Sequence, residues 1–177
     1  KVAITGMGII SSIGNSVEEN FSALLNGKTG ISEIENIVTN HKNVIKVGEI
    51  KMTNEELIKH LGLPIDNNFS RTTMLGAIAA SQAVKNAGIN TINEFKTGLI
   101  SSTSVGGMDM TERYYYQYFE DKECQKYISS HDGGDSSHKI ANYLGLKGLV
   151  TTISTACSSA ANAIMLGARL IQSGELD

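Results

Sequence analysis

Short apolar runs and longer amphipathic stretches alternate along the chain. Strands are predicted at residues 2–5, 97–103 and 149–155, where apolar or β-branched residues form brief runs bounded by glycine or polar residues. Residues 44–50 are predicted to form a short strand or an extended segment. Strands that alternate with helices indicate an α/β fold, built on a mainly parallel sheet with helices on both faces.

Six helices are predicted from apolar residues that recur every three to four positions. They cover residues 16–25, 53–61, 70–87, 110–119, 135–144 and 158–173. Ser16, Thr53 and either Asp135 or Ser136 are the expected N-caps, and Gly62 and Gly145 the expected stops. The last helix is apolar nearly all round and calls for cover on every side, but part of that cover is expected to be missing from this chain.

Composition narrows the class of protein without identifying it. The chain has 177 residues, of which 41% are hydrophobic and 19% charged, as in an ordered globular domain. A net charge of −3 argues against a nucleic-acid surface, which needs a clustered basic face. No apolar run is long enough to span a membrane, and no signal-peptide pattern opens the chain. Cys124 and Cys157 do not suggest a disulfide framework, so a cytoplasmic location is expected.

Cys157 lies in TTISTACSSAANAI, where a predicted buried strand gives way to a predicted helix. The carboxyl ends of parallel strands are where open α/β sheets place their chemistry, and a helix N-terminus favours a thiolate. The Cys157 N–H is also expected to be free to stabilise an oxyanion. Small neighbours permit a sharp turn, so the pattern predicts a cysteine counterpart of the nucleophile elbow.

The residues alone leave two interpretations of Cys157 open. It is either a nucleophile or a small buried hydrophobic residue, which is the commoner fate of a free cysteine. Cys124, in the charged stretch EDKECQKY, is predicted to be an incidental surface or boundary residue.

Several motifs resemble the β-ketoacyl-acyl carrier protein synthases of the thiolase-like group. TTISTACSSAANAI, between YLGLKG and GARLIQSGELD, is similar to the family's active-site region. KVAITGMGIISSIGN resembles its first strand and turn, and FSRTTMLGAIAASQAVKNAGI its second long helix. GLISSTSVGG resembles the strand and glycine turn beside the acyl pocket.

The resemblance implies a decarboxylative Claisen condensation. Cys157 would accept an acyl group from the phosphopantetheine of an acyl carrier protein, and a malonyl-carrier thioester would extend it. Val105, Gly106, Gly107 and Met108 would lie at the acyl pocket, with Val105 affecting the acyl length. The substrates arrive on the carrier, so no cofactor of its own and no metal are expected.

The resemblance also implies that residues 1–177 form the N-terminal half of a thiolase-like domain. The family's two histidines, lysine and second oxyanion donor would lie outside this chain, which alone would be inactive. The complete protein would be a homodimer. From the charge and the apolar runs, no nucleic-acid partner and no membrane span are expected.

The chain departs from the family pattern at four places. Ser12 replaces a usual proline, and Ala160 replaces a usual glycine, where its bulk is expected to narrow the space near the helix start. Only Arg71 stands where many members have several basic residues that face the carrier protein. The segment at 121–138 is also unlike fatty-acid members, so a specialised polyketide or polyene pathway is an alternative to fatty-acid synthesis.

Other signals support competing interpretations more weakly. GMGIIS suggests a dinucleotide site, but Ser11 replaces the third glycine and the next helix begins late, which favours a structural turn. His131, Asp132, Asp135 and His138 could hold a metal or supply a base, although helix capping explains them more simply. YYYQYF is predicted to pack in a core or at an interface. A non-catalytic scaffold that folds and dimerises is the alternative function.

Overall fold

Seven α-helices and four short strands make up the structure, a computed structural model that describes residues 1–177. The helices are α1 (Val17–Leu25), α2 (Asn54–Leu61), α3 (Arg71–Asn86), α4 (Met108–Glu120), α5 (Gln125–Ile128), α6 (Gly133–Tyr143) and α7 (Ser159–Ser173). The strands are β1 (Ser32–Glu33), β2 (Lys46–Val47), β3 (Leu99–Ser102) and β4 (Val150–Ile153). None of the helices combines the length and apolar character needed to cross a bilayer.

Local capping residues set several of the helix ends. The Ser16 side chain accepts a hydrogen bond from the backbone N–H of Glu19 at the start of α1. Thr53 and Glu56 form a reciprocal capping box at α2, which ends at Gly62 in the left-handed conformation. The predicted caps at Ser16 and Thr53 and the predicted stop at Gly62 are therefore confirmed.

The central sheet consists of β3 and β4, which pair in parallel from Leu99 opposite Val150 to Ser102 opposite Ile153. Alternate residues point to opposite faces of a sheet. Ile100 lies against Gly167 of α7, whereas Thr152 shares a 2.6 Å hydrogen bond with Ser137 of α6. Helices therefore cover both faces, as predicted for an α/β fold.

The hydrophobic core lies between α2, α3 and α6. Its buried members are Leu57, Leu61, Met74, Ala77, Ile78 and Ile140. Leu57 and Ala77 are completely inaccessible to solvent. Leu99 of β3 packs against this cluster, which joins the helical layer to one face of the sheet.

A buried carboxylate organises the loop that follows β1. Glu49 accepts hydrogen bonds from the backbone N–H groups of Glu35, Asn36 and Ile37, at distances of 2.8 to 3.1 Å. Burial by itself raises the pKa of Glu49. The three backbone donors and Lys51, 3.8 Å away, lower it by more, so the pKa lies below its usual value. Glu49 is therefore held as an ion within the fold.

The predicted strand at residues 2–5 is wrong. These residues pair with no other strand, and Ile4 is 83% exposed. The segment that follows lies against α3 instead, where Asn86 accepts a hydrogen bond from the Met7 N–H and Gln82 accepts one from the Ile9 N–H. A strand needs a neighbour to complete its hydrogen bonds, and α3 side chains take that place here.

One prediction is confirmed and another needs correction. The segment 44–50 contains the short strand β2, which pairs with β1 in an antiparallel ribbon apart from the central sheet. The N-cap of α6 is Asp132, which accepts a hydrogen bond from the Gly134 N–H, and neither Asp135 nor Ser136 has that role. A short Asp-Gly-Gly segment can enter the helix one turn earlier, because its glycines impose no side-chain restriction.

α7 lacks part of the cover that its apolar sequence calls for, as predicted. Ile164 is 72% exposed and Met165 is 46% exposed, although Ala163 is buried against the rest of the fold. Ile164 lines an open cavity between α7 and β3, so an apolar part of α7 is accessible to solvent.

Candidate active site

Cys157 lies where β4 connects to α7, as the sequence predicts. It is the central residue of a single 3₁₀ turn, Ala156–Ser158, which leads directly into α7. The structure places the thiol one turn before the α-helix, and Cys157 is exposed. The alternative of a small buried hydrophobic residue is therefore wrong.

The backbone before Cys157 has an unusual conformation. Ala156 has a φ of 52°, in the left-handed region that residues with a Cβ seldom adopt. Such a conformation costs about 1–2 kcal/mol for a residue other than glycine. Strain of this kind persists only where surrounding contacts hold it, and it is concentrated at functional sites.

Hydroxyl groups on both sides of Cys157 hold the turn in place. The Ser159 hydroxyl accepts a hydrogen bond from the Thr155 N–H at 2.8 Å and donates one to the Ala156 carbonyl at 2.7 Å. The Ser158 hydroxyl donates to the Thr155 carbonyl, and the Asn162 amide donates to the Thr155 hydroxyl at 2.8 Å. We call Thr155, Ser158, Ser159 and Asn162 the turn brace.

The sequence interpretation missed the turn brace, since it treated Ser158 and Ser159 only as small residues. The available signal was a hydroxyl residue on each side of a predicted helix start, followed by an asparagine four positions after Ser158. Such residues favour local bonds to the backbone at helix N-termini.

The Cys157 N–H donates no hydrogen bond to any group of the protein. The 3₁₀ turn is closed by the N–H groups of Ser158 and Ser159, which leaves the amide beside the sulfur free. A free N–H next to a nucleophile can stabilise the oxyanion that forms when a carbonyl is attacked. The arrangement is chemically suited to acyl transfer.

A polar cavity of about 500 Å³ lies beside β4, between the turn after β3 and the start of α6. Val105, Gly106 and Met108, three of the four predicted pocket residues, line it. Cys157 is not a lining residue, but Ser154, three positions earlier, is one. The structure thus brings the predicted pocket residues to the strand that leads to the cysteine.

Gly107, the fourth predicted pocket residue, does not line this cavity. Its N–H donates to the Ser130 carbonyl at 2.7 Å, and a Cβ at this position would collide with that same carbonyl. Gly106 has a φ of 57°, and a Cβ there would lie 2.5 Å from the His131 carbonyl. Both glycines are needed because residues 130–131 lie too close to leave room for a side chain. This close contact forms part of the cavity wall.

The acidic and histidine residues at 131–138 do not form a metal site. Asp132 caps α6, and Asp135 pairs with Lys139 at 2.7 Å. His131 lies 3.1 Å from the Thr111 hydroxyl, and His138 lines the cavity. The structure contains no group of three or more histidine, cysteine or acidic side chains that could hold a metal ion.

Arg71 is committed to internal hydrogen bonds. Its guanidinium donates to the Asn54 side chain at 2.8 Å and to the carbonyls of Ile50 and Met52 at 2.9 Å. The side chain therefore fixes the segment before α2. The basic position that the resemblance suggested for a carrier protein is occupied by a structural arginine.

The structure also locates the glycines at positions 6 and 8, Cys124 and Ala160. Gly6 and Gly8 lie directly against the α3 backbone, and α1 begins only at Val17, which favours the structural turn over a dinucleotide site. Cys124 is buried, in contrast to its predicted surface or boundary position. Ala160 lines a second cavity between β3 and α7, on the opposite face of the sheet from the polar cavity.

The aromatic run of α4 is divided between packing and exposure. Tyr114 stacks on Tyr127 with ring centroids 4.1 Å apart. Tyr116 is 82% exposed and Phe119 is 69% exposed. Tyr114 therefore packs within the fold, as one of the two predicted alternatives has it. A role of the exposed rings at an interface stays a prediction.

Comparisons with known proteins agree on one family. The family model described as "Beta-ketoacyl synthase, N-terminal domain" matches residues 1–177. A 3-oxoacyl-[acyl-carrier-protein] synthase 2 of Staphylococcus aureus (strain COL) is 30% identical over all of this chain and 44% of that protein. The protein of the same name from Vibrio cholerae is 28% identical over the same shares. The chain thus spans less than half the length of these relatives.

Solved structures show the same fold. The ishigamide ketosynthase/chain length factor superposes with a TM-score of 0.81 at 27% identity, over 98% of this chain and 44% of that one. The ketosynthase from module 6 of the Bacillus subtilis 168 bacillaene synthase gives a TM-score of 0.72 at 19% identity, over 99% and 30%. The predicted thiolase-like α/β architecture is confirmed.

Proposed function

Because the chain belongs to the β-ketoacyl synthase N-terminal domain family, we propose that it supplies the acyl-accepting part of a 3-oxoacyl-[acyl-carrier-protein] synthase. The observation that supports this proposal most is the exposed Cys157 thiol, held in a strained and braced turn with its own N–H unoccupied. These are the requirements of a nucleophile that forms a thioester.

In the proposed reaction, the Cys157 thiolate attacks the carbonyl carbon of an acyl thioester on a carrier protein. The bond to the phosphopantetheine sulfur breaks, and that sulfur leaves as a thiol after taking up a proton. A malonyl-carrier thioester then loses carbon dioxide, and the resulting enolate attacks the acyl group on Cys157. The new carbon–carbon bond forms as the Cys157 sulfur is released, and the product is a 3-oxoacyl-carrier thioester.

This chain supplies some of the groups that the reaction needs. Cys157 provides the nucleophile and its N–H provides an oxyanion donor. The donors that would stabilise the malonyl enolate are proposed to lie in a C-terminal half outside residues 1–177. We therefore expect this chain by itself to release no carbon dioxide from malonyl-carrier protein.

The proposed partners are an acyl carrier protein and a second copy of the complete protein. Exposed apolar side chains on α7 and the exposed rings of α4 support a role for further protein contacts. Substrates would arrive attached to phosphopantetheine, so no separate organic cofactor is invoked. A cytoplasmic location accords with these substrates and stays a proposal.

The proposal is tested by product formation in the complete protein. Acyl-carrier and malonyl-carrier thioesters are supplied together, and the 3-oxoacyl product is measured by mass spectrometry. We expect Cys157→Ala to abolish the product and Cys124→Ala, the matched control, to retain it. Product formation by Cys157→Ala at the rate of the unaltered protein would contradict the proposal and favour a scaffold role for this turn.

A further inference from the structure

The chemistry of the polar cavity points to the kind of acyl group that it accepts. Only three of its fourteen lining residues, Val105, Met108 and Val150, have apolar side chains. A cavity that receives a saturated hydrocarbon chain gains about 0.8 kcal/mol for each methylene group that it removes from water. That gain needs apolar walls, which this cavity has on a minor part of its surface.

Four polar residues that line the cavity have side chains without a hydrogen bond within the protein: Ser104, His138, Thr151 and Ser154. The Thr151 side chain lies on the other face of the sheet with that of Ile100, whereas Ser104, His138 and Ser154 are exposed. Other polar lining groups are already occupied: the Thr103 hydroxyl accepts from the N–H groups of Val105 and Gly106, and the Thr152 hydroxyl is paired with Ser137. The cavity therefore offers two hydroxyls and an imidazole to a ligand.

The position of the cavity links it to the chemistry at Cys157. Ser154 is separated from Cys157 by two residues, so their Cα atoms lie within about 11 Å of each other. His138 projects from α6, which is fixed to β4 by the hydrogen bond between Ser137 and Thr152. The resemblance of Val105 and Met108 to the family's acyl-pocket residues implies that an acyl group on the Cys157 sulfur would extend toward this cavity.

We propose that the cavity selects acyl groups that carry a carbonyl or hydroxyl oxygen along the chain, and that His138 is the main specificity-determining residue. This inference rests on the proposed role of Cys157 as the acyl acceptor. A saturated chain would cover the His138 imidazole without offering it a partner, which disfavours binding by roughly tenfold. An oxygen on the chain removes that penalty by accepting a hydrogen bond from the ring.

The test compares two thioesters of equal length in the complete protein: hexanoyl-pantetheine and 5-oxohexanoyl-pantetheine. The measured quantity is kcat/KM for covalent loading of Cys157, and intact-protein mass spectrometry is used to monitor the loading. We expect the oxo form to load about tenfold faster. His138→Phe should bring the ratio close to one by accelerating hexanoyl loading, whereas His138→Gln, which keeps a donor, should preserve the preference.

His60→Phe is the matched control, because His60 is exposed on α2 and does not line the cavity. It should leave the ratio unchanged. Ser104→Ala, on the exposed turn, gives a second test that does not disturb α6 and should lower the ratio about threefold.

Equal loading of the two thioesters by the unaltered protein would overturn the inference and leave the proposed function intact. A preference that His138→Phe and Ser104→Ala both leave unchanged would overturn the assignment of these side chains. Failure of every thioester to modify Cys157 would overturn the proposed function, and this inference with it.

Discussion

The helical core and the cysteine turn are held in place by different forces. In the core, Leu57 and Ala77 are completely buried between α2, α3 and α6. At the turn, Cys157 is exposed, and directional hydrogen bonds from Ser159 and Asn162 fix the backbone around it. Burial fixes the backbone but makes the side chains inaccessible to solvent. The turn brace fixes the backbone and leaves the Cys157 thiol accessible.

The largest effect on stability is expected from the core. Leu57→Ala should lower the free energy of unfolding by about 2–5 kcal/mol, because it leaves a cavity among packed side chains. Ile164→Ala, on the exposed face of α7, should change it by less than about 0.5 kcal/mol. Urea denaturation of the 177-residue chain measures both values. Similar losses for the two variants would contradict the distinction between a packed core and an open α7 face.

A smaller effect is expected from the turn brace. Ser159→Ala removes the acceptor for the Thr155 N–H and the donor to the Ala156 carbonyl, and should cost about 1–3 kcal/mol. Ser173→Ala is the matched control, because its hydroxyl makes one exposed bond to the Leu170 carbonyl near the end of the same helix. If both variants unfold at the same urea concentration as the unaltered chain, the brace does not hold the turn.

The smallest effect is expected at Glu49, and it should depend on pH. Glu49→Gln should destabilise the chain by about 1 kcal/mol at neutral pH, since the amide accepts hydrogen bonds more weakly than the carboxylate. The folded-state pKa of Glu49 is lowered, so its contribution is complete above the unfolded value of about 4.3 and is lost as pH falls through the folded pKa.

The difference between the unaltered chain and Glu49→Gln should therefore shrink in acid. Glu33→Gln is the control, because Glu33 is exposed and forms only a surface ion pair with Lys46 at 3.5 Å. A gap that widens as the pH falls would show that Glu49 is not stabilised as an ion.

Local features were predictable from the sequence, and features that depend on distant partners were not. Ser16, Thr53 and Gly62 act within one turn of their own helices, so their roles follow from neighbouring residues. The strand at residues 2–5 depended on a neighbouring strand that sequence patterns cannot identify. Instead, Asn86 and Gln82 of α3 bind the segment that follows, through the N–H groups of Met7 and Ile9.

In the candidate site, too, local features were predictable from the sequence and long-range contacts were not. The position of Cys157 followed from one local transition between β-branched and alanine-rich residues. The commitment of Arg71 to Asn54 and two carbonyls depends on contacts between separate segments. The approach of Gly106 and Gly107 to residues 130–131 is likewise a long-range contact, and no spacing in the sequence encodes it.

The most direct test of the account is the location of the acyl group on the unaltered complete protein. The protein is incubated with an acyl-carrier thioester, digested, and analysed by tandem mass spectrometry. We predict that the acyl mass is found on the peptide that contains Cys157, with the buried Cys124 unmodified. An acyl group on Cys124 with none on Cys157 would contradict the central claim.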